Sequence, residues 1–256
     1  MSPVRTGAID RCLWGDAGMP ARRPAAPLPE RCDVAIVGGG YTGLAAALGL
    51  ARRGARVVVL ERHSIGWGAS GRNGGFVLPG FQPGLAELVA RLGEARARGL
   101  WRMSVEAVQA LEALIAAEGI ACDWVRCGSV LLAARPGHLA ALDEERRCLL
   151  RVAAHETELL GPGEIGREIG STAYHGGLVD PAGGALHPGR YCSGLAAAAE
   201  RAGAGLHEDA AVTSLRRRAD GVELQTPRGT VRTAEVLVAT DGYTGPPFGR
   251  LRRRVV

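Results

Sequence analysis

The pattern that most constrains this chain lies between residues 32 and 61. A β-branched segment, 32–37, is followed by the string Gly38-Gly-Gly40-Tyr-Thr-Gly43, and an Ala- and Leu-rich segment then leads to Val57–Leu60 and the acid Glu61. A strand, a G-x-G-x-x-G turn, a helix and a second strand that ends on an acid form, in that order, the βαβ unit that binds dinucleotides. The order of these parts predicts an α/β fold with parallel strands.

Each glycine of the turn has a separate physical role. Gly38 allows the tight turn after the first strand, Gly40 lets a pyrophosphate approach the backbone, and Gly43 lets the helix pack closely on the strand. The helix that begins near Tyr41 directs free N–H groups and the positive end of its dipole at the phosphates. Glu61 stands where a carboxylate accepts hydrogen bonds from ribose hydroxyls. This set favours an adenine dinucleotide and leaves NAD and FAD as alternatives.

The residues that follow the turn argue against a chance match. In a chain with 38 glycines, the three-glycine string alone would also fit a turn that binds no ligand. Leu44, Leu48 and Ala51 recur at helical spacing, and Gly54 ends the helix before the second strand. The context therefore favours a ligand-binding turn.

A second glycine-rich segment follows Glu61 and narrows the choice of cofactor. Residues 66–75 read Gly-Trp-Gly-Ala-Ser-Gly-Arg-Asn-Gly-Gly. A loop of glycine and small polar residues has many free backbone N–H groups and little bulk, so it can lie along an extended phosphate and a flat ring system. NAD-binding units do not need such a loop here, whereas the longer FAD molecule needs contacts beyond the first turn. The loop therefore favours FAD.

With this loop, the chain resembles the FAD-dependent amine and amino-acid oxidoreductases of the D-amino-acid oxidase-type superfamily. The string Gly-Ala-Ser-Gly-Arg-Asn-Gly-Gly at 68–75 most resembles the branch that contains gamma-glutamylputrescine oxidase. Segments 12–14, 180–188 and 234–243 are similar to further parts of that family. The resemblance extends over most of residues 10–256.

The resemblance implies an α/β architecture with a Rossmann-like FAD-binding domain of the GR2 flavoprotein type. An incomplete antiparallel α+β substrate domain is expected as an insertion in it. The expected bounds are an N-terminal arm over 1–31, a discontinuous FAD-binding domain over 32–119 and 183–256, and a partial substrate domain over 120–182. Family members are longer than this chain, so an N-terminal fragment is expected.

The resemblance also implies which residues hold FAD. They lie in the glycine turn, after the second strand, in the loop to residue 75 and in two later segments: Gly38, Gly40, Tyr41, Thr42, Gly43, Glu61, Arg62, Ser70, Arg72, Asn73, Gly74, Gly75, Val212, Thr240 and Gly242. Ser70 and the residues after it would follow the pyrophosphate, ribityl and isoalloxazine groups, and Val212 would meet adenine through its backbone. For Arg72 a surface ion pair is the alternative, and for Asn73 a turn.

Non-covalent attachment of FAD is expected. Some members of the family attach the flavin through a histidine in this loop or through a distant cysteine. Ser70 and Arg72 occupy the corresponding part of this loop, and His63 comes too early in the chain.

The activity that the resemblance implies is oxidation of a C–N bond in a small amine or amino acid. Hydride would pass to the flavin, water would hydrolyse the resulting imine, and O₂ would reoxidise the flavin. Residues that clamp the substrate are expected beyond Val256, so no catalytic residue is assigned. Two alternatives remain open: another FAD- or NAD-dependent oxidoreductase, or a flavin-binding remnant without turnover.

Composition argues against several other classes. The net charge is +5, but all 31 basic residues are Arg, few of them cluster, and aromatic residues make up 4% of the chain, so nucleic-acid binding is not expected. Residues 1–31 contain no apolar signal segment, and no apolar run reaches the roughly 18 to 20 residues of a membrane span. A cytoplasmic protein without membrane contact is expected, and its oligomeric state is left open.

The six cysteines form no C-x-x-C pair and have no histidine at metal-ligand spacing. No metal site or disulfide framework is expected. Cys32 falls in a predicted strand and Cys192 in a predicted helix, so both are expected to be buried thiols.

Periodicity predicts the remaining elements. Helices are expected over 85–118 with interruptions at Gly93 and Gly99, over 136–155, and over 188–203. Strands are expected over the following ranges: 157–160, 174–180, 205–208, 211–216, 221–226 and 230–239.

Overall fold

The computed structural model describes residues 12–14 and 21–254. The strands are β1 (Arg31–Val37), β2 (Val57–Leu60), β3 (Phe76–Val77), β4 (Ser129–Leu132), β5 (Glu158–Leu160), β6 (Gly177–Asp180), β7 (Gly184–Ala185), β8 (Gly205–His207), β9 (Ser214–Arg218), β10 (Gly221–Thr226) and β11 (Gly229–Val238). The helices are α1 (Tyr41–Ala51), α2 (Leu85–Leu92), α3 (Glu94–Glu118), α4 (Pro136–Ala153), α5 (Gly166–Ile169), α6 (Pro188–Arg201) and α7 (Gly249–Arg252). Two 3₁₀ turns lie at Ala69–Gly71 and Asp241–Tyr243.

The chain divides into two compact units. The first comprises the described parts of Met1–Gly74, Glu118–Cys122 and His187–Val256, and the second comprises Gly75–Ala117 and Asp123–Leu186. These units differ from the predicted domain bounds, because residues 75–117 belong to the second unit, whereas the predicted FAD-binding domain includes them.

Helix packing explains the difference in bounds. Leu85 and Leu88 of α2 belong to the same buried apolar cluster as Leu142 and Leu149 of α4. An amphipathic pattern shows that a helix buries one face, but it does not show which element covers that face. The sequence therefore predicted α2 correctly and assigned it to the other domain.

The first unit is built on a six-stranded sheet with the order β8-β2-β1-β11-β10-β9. Strands β8, β2, β1 and β11 are parallel, whereas β10 is antiparallel to both β11 and β9. Val37, Leu60 and Val238 are aligned across β1, β2 and β11, so these strands end at one edge. Open α/β sheets bind ligands beyond the carboxyl ends of their strands.

Helix α1 makes the crossover from β1 to β2. Leu44, Leu48 and Ala51 are buried, which confirms the predicted apolar face. Strand β2 is buried at all its positions, as expected for a parallel strand covered on both faces.

Helix α6 packs against α1. It begins at Pro188, and the Nδ1 atom of His187 accepts a hydrogen bond from the backbone N–H of Arg190 at 3.2 Å, which caps the helix. Cys192 within α6 and Cys32 within β1 are both buried. The two predicted buried thiols are confirmed.

The second unit contains the antiparallel sheet β4-β6-β5 and the two-stranded sheet β3-β7, as the predicted antiparallel insertion requires. Trp101 of α3 packs into the same apolar cluster as α2 and α4. The carboxylate of Glu145 accepts hydrogen bonds from the backbone N–H groups of Leu85 (2.5 Å) and Ala86 (3.0 Å), so it satisfies free donors at the start of α2.

Several element bounds differ from the sequence predictions. The helix expected over 85–118 is interrupted at Gly93, where φ is +80°, but Gly99 lies inside α3 without a break. The strand expected over 211–216 begins only at Ser214. The strand expected over 174–180 begins at Gly177.

No helix in the described part of the chain is both long enough and apolar enough to cross a membrane.

Two glycines of α1 should respond in opposite ways to replacement by alanine. A Cβ at Gly43 would collide with the carbonyl oxygen of Gly38, whereas a Cβ at Gly49 would meet only the Arg53 guanidinium at 3.5 Å. We expect Gly43→Ala to lower the free energy of unfolding by about 2 kcal/mol, and Gly49→Ala to raise it by up to about 1 kcal/mol. Urea denaturation followed by circular dichroism measures both, and equal effects of the two substitutions would contradict the packing described here.

Candidate functional site

A cleft of about 290 Å³ opens at the carboxyl edge of the parallel strands in the first unit. Residues at the ends of β1 and β2, in the loop before β9 and in the segment after β11 line it. They are Val37, Gly38, Gly39, Gly40, Leu60, Glu61, Arg62, His63, Gly66, Trp67, Gly68, Ala69, Ser70, Ala211, Val212, Thr213, Ala239, Thr240, Asp241, Tyr243, Gly245, Pro246 and Phe248.

The glycine turn after β1 forms one wall of this cleft. Gly38 has a φ of +111°, and a Cβ there would collide with the carbonyl group of Ala239. A Cβ at Gly40 would lie 2.7 Å from the Oγ of Ser70. Side chains at these two positions would therefore fill the space between the turn and its neighbours.

The N-terminus of α1 points at the loop that carries Ser70. The backbone N–H of Tyr41 donates to the Oγ of Ser70 at 3.0 Å, so this hydroxyl marks the positive end of the helix. A second cleft of about 560 Å³ shares Gly40 and Ser70 with the first and is also lined by Thr42 and Asn73. The two clefts meet at the start of α1, which suits an extended ligand with a negative charge near its middle.

The carboxylate of Glu61 is held by the backbone around it. Its Oε2 accepts a hydrogen bond from the N–H of Gly39 at 2.7 Å, and its Oε1 accepts one from the N–H of His63 at 2.8 Å. A carboxylate has about four acceptor positions, so this one can also accept from hydroxyl donors in the cleft.

Aromatic side chains form another wall. Trp67 stacks at a tilt on His63 with 4.2 Å between ring centroids, and Tyr243 meets Trp67 edge-on at 5.7 Å. The Arg72 guanidinium lies 4.6 Å from the centre of a Trp67 ring, and its Nε donates to the Trp67 carbonyl at 2.6 Å. This wall offers a flat apolar surface for a ring system.

Ten of the fifteen predicted cofactor residues line the two clefts. The first cleft includes Gly38, Gly40, Glu61, Arg62, Ser70, Val212 and Thr240. The second cleft adds Tyr41, Thr42 and Asn73.

The other five predicted residues line neither cleft. Gly43 instead allows the contact of α1 with the turn. Arg72 lies beside Trp67, and Gly242 sits in a 3₁₀ turn whose neighbours line the first cleft. Gly75 belongs to the second unit, and Gly74 ends the preceding segment of the first.

Asn73 combines both alternatives that its sequence position left open. Its amide nitrogen donates to the carbonyls of Ser70 (3.0 Å) and Ala69 (3.2 Å), so it shapes the turn while it lines the second cleft. Its own carbonyl accepts a 2.7 Å hydrogen bond from the indole N–H of Trp14, which attaches Trp14 to this loop.

Sequence reasoning missed most of the aromatic wall. Trp67, Tyr243, Pro246 and Phe248 were not among the predicted site residues. An indole inside a glycine-rich loop was a usable signal, because a large apolar side chain there needs a partner. The position of 243–248 depends on the pairing of β11 with β1, which no local pattern reveals.

Two groups near the cleft, the buried Cys192 thiol and the half-buried Tyr41 hydroxyl, have raised pKa values. Burial raises the pKa of the Cys192 thiol to about 12, with an opposing effect from Arg23 and a reinforcing one from Glu61. Burial also raises the pKa of the Tyr41 hydroxyl, which donates to the Pro188 carbonyl at 3.2 Å. Among the described residues, no group of three or more His, Cys, Asp or Glu side chains could hold a metal ion.

The fold and the cleft define a dinucleotide-binding α/β protein. The space at Gly40, the helix end beside Ser70 and the acid at Glu61 fit the pyrophosphate and ribose of an adenine dinucleotide. Residues 33–256 match the DAO family, described as FAD dependent oxidoreductase, and the chain belongs to this family.

Curated relatives agree with the predicted branch. Gamma-glutamylputrescine oxidoreductase of Escherichia coli K12 is 38% identical over 214 residues, which cover 84% of this chain and 50% of the relative. The probable oxidoreductase OrdL of Haemophilus influenzae is 36% identical over 215 residues, with the same coverage. The chain thus spans about half the length of these curated relatives.

Solved structures confirm the predicted fold class. Glycine oxidase from Geobacillus kaustophilus superposes with a TM-score of 0.72 at 27% identity, covering 87% of this chain and 59% of that one. NikD, an unusual amino acid oxidase essential for nikkomycin biosynthesis, superposes with a TM-score of 0.62 at 28% identity, covering 86% and 55%.

Thiol reactivity should separate the exposed cysteine from the buried ones. Cys127 is exposed, whereas Cys32, Cys148 and Cys192 are buried, and burial raises the pKa of each of these three thiols. Because the thiolate is the reactive form, we expect iodoacetamide at pH 8 to modify Cys127 at least about tenfold faster than those three. Peptide mass spectrometry after timed labelling measures the rates. Labelling of Cys192 in the folded protein as fast as Cys127 would contradict its placement.

Proposed function

We propose that this chain binds FAD non-covalently and belongs to an enzyme that oxidises a C–N bond of a small amine or amino acid. The observation that carries this proposal is the arrangement of Gly40, Ser70 and Glu61 around the start of α1. Gly40 leaves room for the pyrophosphate beside the backbone, and Ser70 marks the N-terminus of α1, which would face the pyrophosphate charge. The carboxylate of Glu61 lies further along the same cleft, where the ribose of FAD would follow.

Each part of the cleft would hold a different part of the cofactor. Gly38 and Gly40 would leave room for the pyrophosphate, and the N-terminus of α1 would face its charge. Glu61 would accept hydrogen bonds from the adenosine ribose, and Val212 would contact adenine through its backbone. The second cleft, with Thr42 and Asn73, extends away from this point and would take a further part of the molecule.

The substrate class is proposed from the relatives. One relative is named for gamma-glutamylputrescine, and one structural neighbour is a glycine oxidase; both names describe molecules with an amine nitrogen. FAD, when bound, would accept a hydride from the carbon next to that nitrogen, which leaves an imine. In the proposed reaction water then hydrolyses the imine and O₂ reoxidises the flavin. The second unit would be part of the substrate domain.

Non-covalent binding is supported by the surroundings of Cys192 and His63. Cys192 is buried with a raised pKa, and a neutral buried thiol is a poor nucleophile. His63 lines the first cleft, and its ring is stacked on Trp67.

A second candidate function is flavin binding without turnover. This alternative is supported by the chain's coverage of about half the length of these relatives. The residues proposed to bind the ADP half of FAD lie within the described chain.

Replacement of Gly40 should test the cleft as the FAD site. We expect Gly40→Val to weaken FAD binding by about a hundredfold or more, or ~3 kcal/mol, because its side chain would occupy the space beside Ser70. FAD is titrated into the apoprotein and followed by quenching of tryptophan fluorescence and by the visible flavin spectrum. Gly49→Ala, on the same helix but outside both clefts, should bind like the wild type.

In the same titration, acid precipitation of the wild-type complex should release all the flavin into the supernatant. A yellow protein pellet would show a covalent bond. A wild-type protein that stays colourless after incubation with FAD would overturn the proposed function.

Anaerobic reduction should distinguish the enzyme from the remnant. If the chain carries the reaction, gamma-glutamylputrescine or glycine added without O₂ should bleach the spectrum of bound oxidised flavin, and admission of air should restore it. Dithionite serves as the positive control for reduction. Binding of FAD with bleaching by dithionite but by neither amine would favour the flavin-binding remnant.

A further inference from the structure

Glu208 is a buried acid that lies outside both clefts. It follows β8 and is 4% exposed. Its Oε1 accepts a hydrogen bond from the backbone N–H of Ile65 at 2.9 Å, and its Oε2 accepts one from the backbone N–H of Arg23 at 3.0 Å. The Arg23 guanidinium lies 3.8 Å from the carboxylate. A buried carboxylate persists only with such partners, so both of its oxygens are committed to the backbone of other segments.

One of these segments leads directly to the cofactor cleft. Ile65 is fully buried, and its Cδ1 lies against Gly39 so closely that a Cβ on that glycine would collide with it. The next residue, Gly66, donates its N–H to the carbonyl of Gly39 at 3.0 Å and lines the cleft. Glu208 therefore fixes the position of Ile65, which packs against Gly39 of the glycine turn.

The other segment is the N-terminal arm, which we define as residues 21–30. Besides the bond from its backbone, Arg23 pairs through its side chain with Glu200 of α6 at 2.6 Å. Arg228 donates to the carbonyl of Glu208 at 2.6 Å and also reaches the carbonyl of Ala26 in the arm. The arm is thus fastened at several points around Glu208.

The backbone beside Glu208 supports the same loop. Ala210 donates its N–H to the carbonyl of Glu61 at 2.8 Å, and Asp209 donates to the carbonyl of His63 at 3.1 Å. These bonds connect two strand ends of the sheet, and the buried side chain of Glu208 bonds both the loop, at Ile65, and the N-terminal arm, at Arg23.

We propose that Glu208 is a positioning residue of the FAD site and that the N-terminal arm braces this site through it. This inference rests on the proposed function, because the position of Ile65 matters for the glycine turn that would receive the pyrophosphate. The arm then contributes to cofactor affinity without contacting the cofactor.

Two substitutions at neighbouring acids test this proposal in the full chain. In Glu208→Gln the amide can accept from one of the two backbone donors but presents its NH₂ group to the other. We expect the dissociation constant for FAD to rise about tenfold, and trypsin to cleave the apoprotein after Arg22 faster than in the wild type. Asp209→Asn is the matched control, because Asp209 is the adjacent acid and its pair with Arg22 is exposed at both ends; it should keep the wild-type FAD affinity.

The outcomes separate a positioning role from a purely stabilising one. Affinities are measured at a temperature where circular dichroism shows each variant fully folded. A lower Tm for Glu208→Gln with unchanged FAD affinity would overturn the proposal. If the wild type binds no FAD, both the proposed function and this inference are wrong. If the wild type binds FAD and Glu208→Gln binds it equally well, only this inference is wrong.

Hydrogen exchange on the wild-type protein decides the case if Glu208→Gln does not fold. Coupling between the arm and the site is reciprocal, so bound FAD should slow exchange of both the Ile65 and the Arg23 amides. An Arg23 amide that exchanges at the same rate with and without FAD would overturn the brace.

Discussion

The contact between Gly43 and the carbonyl of Gly38 is the constraint on which the cofactor site depends. With no side chain between them, helix α1 starts immediately against the end of β1. Because α1 begins at this point, the N–H of Tyr41 donates to Ser70 and the space beside Gly40 stays open. The parallel alignment of β1 and β2 then brings Glu61 to the same edge, where it bonds the N–H of Gly39. One close backbone contact therefore positions the start of α1 within the proposed dinucleotide cleft.

The features that sequence reasoning predicted correctly are those decided by residues near one another in the chain. The glycine turn, the apolar face of α1 and the position of Glu61 all follow from spacing within residues 32–61, because each depends on local backbone geometry or helical period. The parallel sheet followed from the βαβ order, and the family from two glycine-rich strings. Ser70, ten residues after the end of β2, was predicted from the family resemblance and lies at the start of α1.

The features that were missed depend on pairings between distant residues. Trp67 meets Tyr243 only because β11 pairs with β1 and brings the segment after it to the cleft. Glu208 gave no signal, since an acid after a short strand usually lies in water, and its burial becomes evident only with the arm and the loop in place. The packing of α2 was not foreseen for the same reason, because its apolar face did not identify α4 as its partner. The pattern of one sequence indicates that a residue is buried or needs a partner, but it does not identify a partner that is distant in the chain.

The order of strands in the large sheet also bears on how the chain acquires its structure during synthesis. Strand β1 is central, and on one side it pairs with β11, where Val34 is aligned with Glu235. A ribosome must therefore add most of the chain, including the entire second unit, before that side of β1 can form its ladder. Until then a strand of predominantly apolar residues exposes unpaired backbone groups, which favours association with other chains. The sheet of the first unit therefore forms late, because it pairs strands that are far apart in the sequence. Of its strands, β1 would stay accessible to chaperones on the nascent chain for the longest time.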